Sequence, residues 1–217
     1  MLKLVVASRI KRFIVNASGG SMRFLSLLAC AIVAVVGSCT PANAGSVLGP
    51  SRSVGAPPGF ASACHRYSWL CGSPLAGRAM GDAEALSVLR AANAQVNAAL
   101  IPTGGMSAVG RIDYWSLPIN GRGDCKHYAL LKKKTLIANG FRADRLAVAV
   151  VLDRNGNNHA VLMARLNGGD YVLDNLTDSI RSWDDTGYTF LARQNFQDQR
   201  KWEVILAGPR AGKFQGT

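Results

Sequence analysis

The chain has 217 residues, 48% of them hydrophobic, with 25 Lys/Arg against 13 Asp/Glu and a formal charge of +12. Residues 1–44 hold five of those Lys/Arg and no acid, so 45–217 carry 20 against 13, or +7. A moderately basic chain can meet anionic surfaces. This one has no RNP-type aromatic motif, no zinc-finger spacing and no basic low-complexity arm, which excludes nucleic acid as its partner.

The first element reads as a targeting segment. Met22-Arg23 leads into an apolar run of 14, Phe24 to Gly37, and then Ala42-Asn43-Ala44. A membrane span needs about 20 apolar residues. The shorter run with a small-x-small site behind it predicts a secretory signal, with a membrane anchor as the other reading. Lys3, Arg9, Lys11 and Arg12 upstream make either a long basic leader or a gene start called too early, with Met22 the true one. Val36-Gly37-Ser38-Cys39 loosely matches a lipoprotein box, so lipidation at Cys39 is the minority route. The expectation is a signal region, 1–44, that is removed, leaving a periplasmic or secreted protein with no stable membrane span.

The remaining 173 residues suffice for one domain with a core. Gly, Ser and Pro dominate 45–60, ending in Pro57-Pro58-Gly59, which predicts a flexible, extended leader. A single domain is expected over 61–208, followed by a tail, 209–217. Removing the signal takes Cys30 and Cys39 with it and leaves Cys64, Cys71 and Cys125. An oxidising compartment favours one local disulfide, Cys64–Cys71, and one free thiol, Cys125. The alternative, a three-cysteine metal site, lacks any CxxC spacing.

A helix is expected from Asp82, as N-cap, with Leu86, Leu89, Val96 and Leu100 on one face, stopped by Pro102 and Gly104-Gly105. Residues 111–124 read as loop. A second helix is expected from about Asp124 to Asn139, with Lys132, Lys133 and Lys134 late in it where cations complement the dipole, and Asn139-Gly140 closing it. The apolar period then becomes two. Strands are expected over 146–153, 159–166 and 171–174, separated by Asn/Gly turns, with one or two more within 183–206. The fold class is α+β, helices packed on an antiparallel sheet.

Gly123-Asp124-Cys125 carries the chemistry. It sets a thiol at a glycine-led turn just before a helix, where the dipole and free N–H groups favour thiolate. His159 lies 34 residues downstream and Asp174 another 15. Cys, His, Asp is one chain order for a thiol-based triad, and the backbone N–H groups at the helix start suit an oxyanion. A hairpin turning symmetrically about Gly168-Gly169 puts Asp174 opposite Met163, four residues or about 13 Å from His159 on the same face. Pairing the two directly needs the turn centred about two residues earlier, or a bulge.

At these residues the chain resembles the bacterial transglutaminase-like cysteine proteinases, within the wider papain and transglutaminase group. The likeness runs from about Phe60 to Trp202. It is carried by Cys64 and Cys71, Asp113-Tyr114-Trp115, Gly123-Asp124-Cys125, Tyr128-Ala129-Leu130-Leu131-Lys132, Asn158-His159-Ala160-Val161-Leu162 and Tyr171-Val172-Leu173-Asp174-Asn175-Leu176. The resemblance implies a papain/transglutaminase-like α+β fold with the nucleophile at a helix N-terminus. It also implies a Cys125–His159–Asp174 triad and an exported hydrolase acting on peptide or amide bonds of a protein in the cell envelope. Trp115 would flank the cleft, help hold the oxyanion, or belong to the core. Relatives often carry acids directly after the cysteine, and those that process adhesins depend on calcium. Here the positions are Lys126 and His127, so no calcium requirement and no cofactor is expected. The alternative functions are a transglutaminase-type acyl transferase and a non-catalytic envelope binding module on the same scaffold.

Overall fold

The structure is a computed structural model that describes residues 46–72, 77–104 and 114–214. The expected signal region, the lipoprotein box at Cys39 and Asp113 lie outside the described residues. In chain order come β1 (Arg52–Val54), α1 (Phe60–Arg66), α2 (Asp82–Ala99), β2 (Ile101–Pro102), β3 (Arg122–Gly123) and α3 (Cys125–Ala138). Six strands follow: β4 (Leu146–Leu152), β5 (Asn158–Leu166), β6 (Gly169–Asp174), β7 (Thr177–Ser182), β8 (Thr189–Gln194) and β9 (Trp202–Ala207). The main sheet has the order β1-β9-β8-β4-β5-β6-β7, with every pairing antiparallel. A short parallel pair, β2 and β3, stands apart from it.

Alternation along β4 and β5 sends side chains to two cores. Leu146, Val148, Ala160, Leu162 and Ala164 meet α1, α2 and α3 through Phe60, Leu89, Leu130 and Leu136. Ala147, Ala149, Val151, Val161 and Met163 pack on the other side with Leu48, Phe190 and Phe196. Both faces are therefore covered, and the apolar runs of β4 and β5 follow from that. No helix among the described residues is long and apolar enough to cross a membrane.

Several local readings change. The 45–60 leader is anchored in part: β1 pairs with β9, and Leu48 is buried. Its N–H donates to Asp170 Oδ2 at 2.9 Å, while its carbonyl accepts from Arg165 and Arg193. Gly81, not Asp82, is the N-cap of α2. The Asp82 carboxylate instead accepts from Asn167 N and Gly168 N, gripping the β5–β6 turn. β7 is an added strand, hidden in the sequence because Thr177–Ser182 is polar and partly exposed at the sheet edge.

The lysines of α3 also change role. Lys132 and Lys133 are fully buried, and α3 has no basic residue in its last turn. Lys133 Nζ donates to Leu70 O and to the side chains of Gln194 and Gln199, tying the disulfide loop to β8. Lys132 Nζ stands 5.7 Å from the Tyr128 ring centroid. Burial pulls the pKa of each down to about 7.

Candidate active site

The site is built where the start of α3 meets the ends of β5 and β6. Asn120 and Gly121 both take positive φ, 53° and 67°, turning the chain back so that Arg122 N reaches Ile119 O. That turn lays β3 along β2 and delivers Gly123 to the head of α3. A Cβ on Gly123 would lie 2.6 Å from His127 Cβ, so only glycine fits there.

Asp124 is the N-cap of α3 and accepts from Lys126 N at 3.0 Å. His127 completes a capping box, its Nδ1 lying 3.1 Å from Asp124 N and 2.8 Å from Asp124 Oδ1. Lys126 Nζ sits 2.9 Å from Asp124 Oδ2. Burial would raise the Asp124 pKa. The hydrogen bonds of His127 and Lys126 outweigh it and bring the pKa down to about 2. The two residues after the cysteine therefore spend their polarity on Asp124, fixing the first turn of the helix.

Cys125 is the first residue of α3, partly buried against the same core cluster as Trp115. It is the free cysteine among the described residues, because Cys64 is bonded to Cys71. Counting thiols on the oxidised 45–217 chain is expected to give one.

His159 and Asp174 do come together, though not by direct pairing. The observed register puts Leu162 opposite Leu173 and Leu166 opposite Gly169. Continued outward, it places Asp174 opposite Val161, two residues from His159 on the same side of the strand. Such diagonal neighbours lie about 7–8 Å apart along the backbone, within reach of an imidazole. His159 Nε2 is 2.8 Å from Asp174 Oδ1. The turn is thus centred one residue earlier than a symmetric Gly168-Gly169 hairpin, and neither a larger shift nor a bulge in the β5–β6 pairing is needed.

The Cys125 thiol acts on the same imidazole, as one of the groups that raise its pKa. Burial by itself would lower the His159 pKa. Hydrogen bonds and charge from Asp174 and Cys125 overcome it and raise the value to about 9. Asp174 moves the other way: burial opposes its ionisation, but His159, Tyr188 and the Leu176 N–H hold its pKa below the usual carboxylate range.

Asp174 also opens the β6–β7 turn, its Oδ1 accepting from Leu176 N at 3.2 Å. Asn97 of α2 donates to its carbonyl at 3.0 Å, and the Tyr188 hydroxyl donates to Oδ2 at 2.5 Å. Neither Asn97 nor Tyr188 carries a sequence signal, since one is a polar residue in a helix and the other follows a loop. Trp115 is 3% exposed and packs edge-on against Phe60, with Trp202 beyond. Its carbonyl accepts from Arg66.

Comparison with known proteins adds the following. The chain is similar to three structures of Legionella pneumophila LapG. For the EGTA-treated form the identity is 24% and the TM-score 0.43, over 49% of this chain and 61% of that one. The calcium-bound form gives 22% and 0.46, over 57% and 70%. A third LapG structure gives 21% and 0.47, over 58% and 72%. The chain thus spans about 61% of the EGTA-treated relative. No curated protein matches.

The expectation of no cofactor stands corrected: one of these LapG structures is calcium-bound and another is EGTA-treated. The expectation rested on Lys126 and His127 replacing acids. Ca²⁺ takes about six to eight oxygens, drawn from several segments and including backbone carbonyls. Two residues behind one cysteine do not decide such a set. Residues 51–209, well over half of the chain, match the family model of the bacterial transglutaminase-like cysteine proteinases, so the chain belongs to that family of cysteine peptidases.

Proposed function

We propose that this chain is an exported thiol hydrolase that cleaves peptide or amide bonds of an envelope protein, with Cys125 as nucleophile, His159 as acid and base, and Asp174 as the support of the imidazole. The observation that carries the reading is one buried imidazole whose Nε2 lies 2.8 Å from the Asp174 carboxylate, with the free thiol at the start of α3 among the groups that raise its pKa. Nε2 is taken by Asp174, which leaves Nδ1 to exchange a proton with Cys125.

In the first half, Cys125 Sγ bonds to the carbonyl carbon. Its oxygen becomes an oxyanion facing the N–H groups at the start of α3. The C–N bond then breaks, and the His159 imidazolium gives its proton to the leaving amine. In the second half, water attacks the thioester, His159 takes the water proton, the C–S bond breaks and the acid leaves. The expected periplasmic or secreted location agrees with a disulfide in the chain.

No step of this scheme is routed through calcium. The Asp124 carboxylate beside the nucleophile is engaged by Lys126 and His127.

The test uses fluorescent casein for cleavage and iodoacetamide for the thiol, both across pH, with Cys125→Ser as the blank. Cleavage should vanish in the variant. In the wild type, rate should fall on the alkaline side near pH 9, because leaving-group protonation needs the imidazolium, and His159 loses that proton as pH rises through about 9. A cleavage rate unchanged in Cys125→Ser would sink the assignment. An EGTA arm belongs in the same assay: loss of cleavage that added calcium restores would give the ion a role in this chain.

A further inference from the structure

Tyr188 touches two of the three proposed triad residues. Its hydroxyl donates to Asp174 Oδ2 at 2.5 Å, and its ring meets the His159 ring edge to face with centroids 5.8 Å apart. The residue is 8% exposed. Asp174 Oδ1 is already shared between His159 Nε2 and Leu176 N. A carboxylate held at one oxygen can still rotate about its Cβ–Cγ bond. A second hold on Oδ2 fixes its plane, and with it the direction in which Oδ1 faces the imidazole.

Tyr188 is itself held from several sides. Its N–H donates to Thr186 Oγ1 at 3.1 Å, and Thr186 Oγ1 donates to Trp183 O at 2.6 Å. Arg154 Nε donates to Thr186 O at 2.8 Å, so the β4–β5 turn braces the segment leading into β8. Gly187 turns the chain at φ 71°. The charged groups that face the phenol are Asp174, Arg154 and Asp153, with His159 against its ring. Burial, and after it Asp174, push the phenol pKa well up, so it remains a hydrogen-bond donor throughout the working range.

The Asp174 carboxylate and the phenol both line a cavity of about 350 Å³, with Arg154, Leu176 and Arg181 among its other walls.

We propose that Tyr188 is a positioning residue of this peptidase: it fixes the Asp174 carboxylate in the plane that supports the His159 imidazolium. The proposal rests on the Cys125–His159–Asp174 reading. The test compares wild type, Tyr188→Phe and His159→Ala as full chains, reading iodoacetamide modification of Cys125 from pH 5 to 10 beside thermal melts. Removing the hydroxyl leaves the ring packing intact. It should lower modification at pH 7 by about tenfold, the scale of a lost hydrogen bond to a charged group, and move the pH profile upward.

A purely structural hydroxyl would lower the melting temperature and leave the profile in place, and that result overturns the proposal. A profile unchanged in both variants would instead reject the triad reading itself. A profile changed only in His159→Ala would reject Tyr188 alone. Should Tyr188→Phe not fold, proton NMR of the wild type decides. A slowly exchanging tyrosine hydroxyl with a cross-peak to the His159 ring is expected, and its absence counts against the proposal.

Discussion

His159→Ala is expected to lower casein cleavage by about 10²- to 10⁴-fold, the range that a positioned acid and base contributes. In the proposed scheme the imidazole alone accepts the Cys125 proton and protonates the leaving amine. Asp174→Ala should cost less, because the imidazole stays, though without its carboxylate. The measurement is the cleavage rate per folded molecule, with circular dichroism as the check on folding. A His159→Ala rate within threefold of wild type would remove the histidine from the chemistry.

The same variant carries a stability signature with a definite sign. The His159 pKa is raised, from 6.5 to about 9. Its coupling to Asp174 and Cys125 therefore stabilises the fold fully below about pH 6.5, and that contribution is lost as pH rises through about 9. Asp174 behaves oppositely, contributing above about pH 4 and losing its part as pH falls, because its pKa is lowered. Lys132 and Lys133 run against His159. With pKa values pulled down to about 7, their burial is a cost at low pH that is relieved as pH rises from 7 toward their ordinary value. The difference between wild type and His159→Ala cancels the lysines. That gap in melting temperature should shrink between about pH 6.5 and 9. A constant gap would mean that the histidine does not titrate with its partners.

Asp170→Ala should be the most damaging change away from the site, at about 3–5 kcal/mol, the cost of breaking a buried ion pair from one side. Asp170 is 0% exposed. It accepts from Arg165 Nε and Nη2 at 2.7 Å each, from Arg193 Nη1 at 3.3 Å and from Leu48 N at 2.9 Å. Arg193 is 1% exposed, and burial already pulls its pKa down despite Glu203. Removing the carboxylate leaves Glu203 as the remaining acid on that guanidinium, strips Arg165 of its carboxylate partner, and deprives the Leu48 N–H of its acceptor. For a domain of this size the loss corresponds to about 10–15 °C in melting temperature. Calorimetry that finds less than about 1 kcal/mol would sink the claim. Breaking the exposed Arg78–Glu84 pair is the control and should leave the melt in place.

Much of this site could be read from residue order because local rules govern it. Glycine, aspartate and cysteine ahead of a helix-forming run specify a capped N-terminus with a thiol on its first turn, and Asp124 caps it. Period-two runs broken by Asn and Gly specify β4 and β5, whose expected bounds differ from those observed by one residue at one end. The disulfide joins cysteines seven residues apart, a separation at which chain connectivity alone keeps them near.

What failed was decided across distance. Asp82 resembles a cap, but its carboxylate finds the N–H groups of the β5–β6 turn, and only the packing of α2 on the sheet puts them there. Lys132 and Lys133 look like surface cations late in a helix. Both are buried: Lys133 finds carbonyl and amide oxygens in the disulfide loop and β8, while Lys132 Nζ has no hydrogen-bond partner among the described residues and lies near the Tyr128 ring. The calcium expectation failed for a related reason: a set of oxygens gathered from several segments leaves no trace in the residues beside one cysteine.

The order Cys125, His159, Asp174 and the helix that presents the thiol are determined by the sequence alone, through capping, spacing and alternation. The tertiary structure decided how His159 and Asp174 meet. A one-residue shift in the β5–β6 turn makes them diagonal rather than distant neighbours, and α3 packs on β5, the strand that carries the histidine. Register follows from which face of each strand is buried, and that depends on both cores at once. Tyr188, on the segment that leads into β8, holds the other oxygen of the carboxylate, a contact 14 residues along the chain from Asp174 that no local pattern encodes.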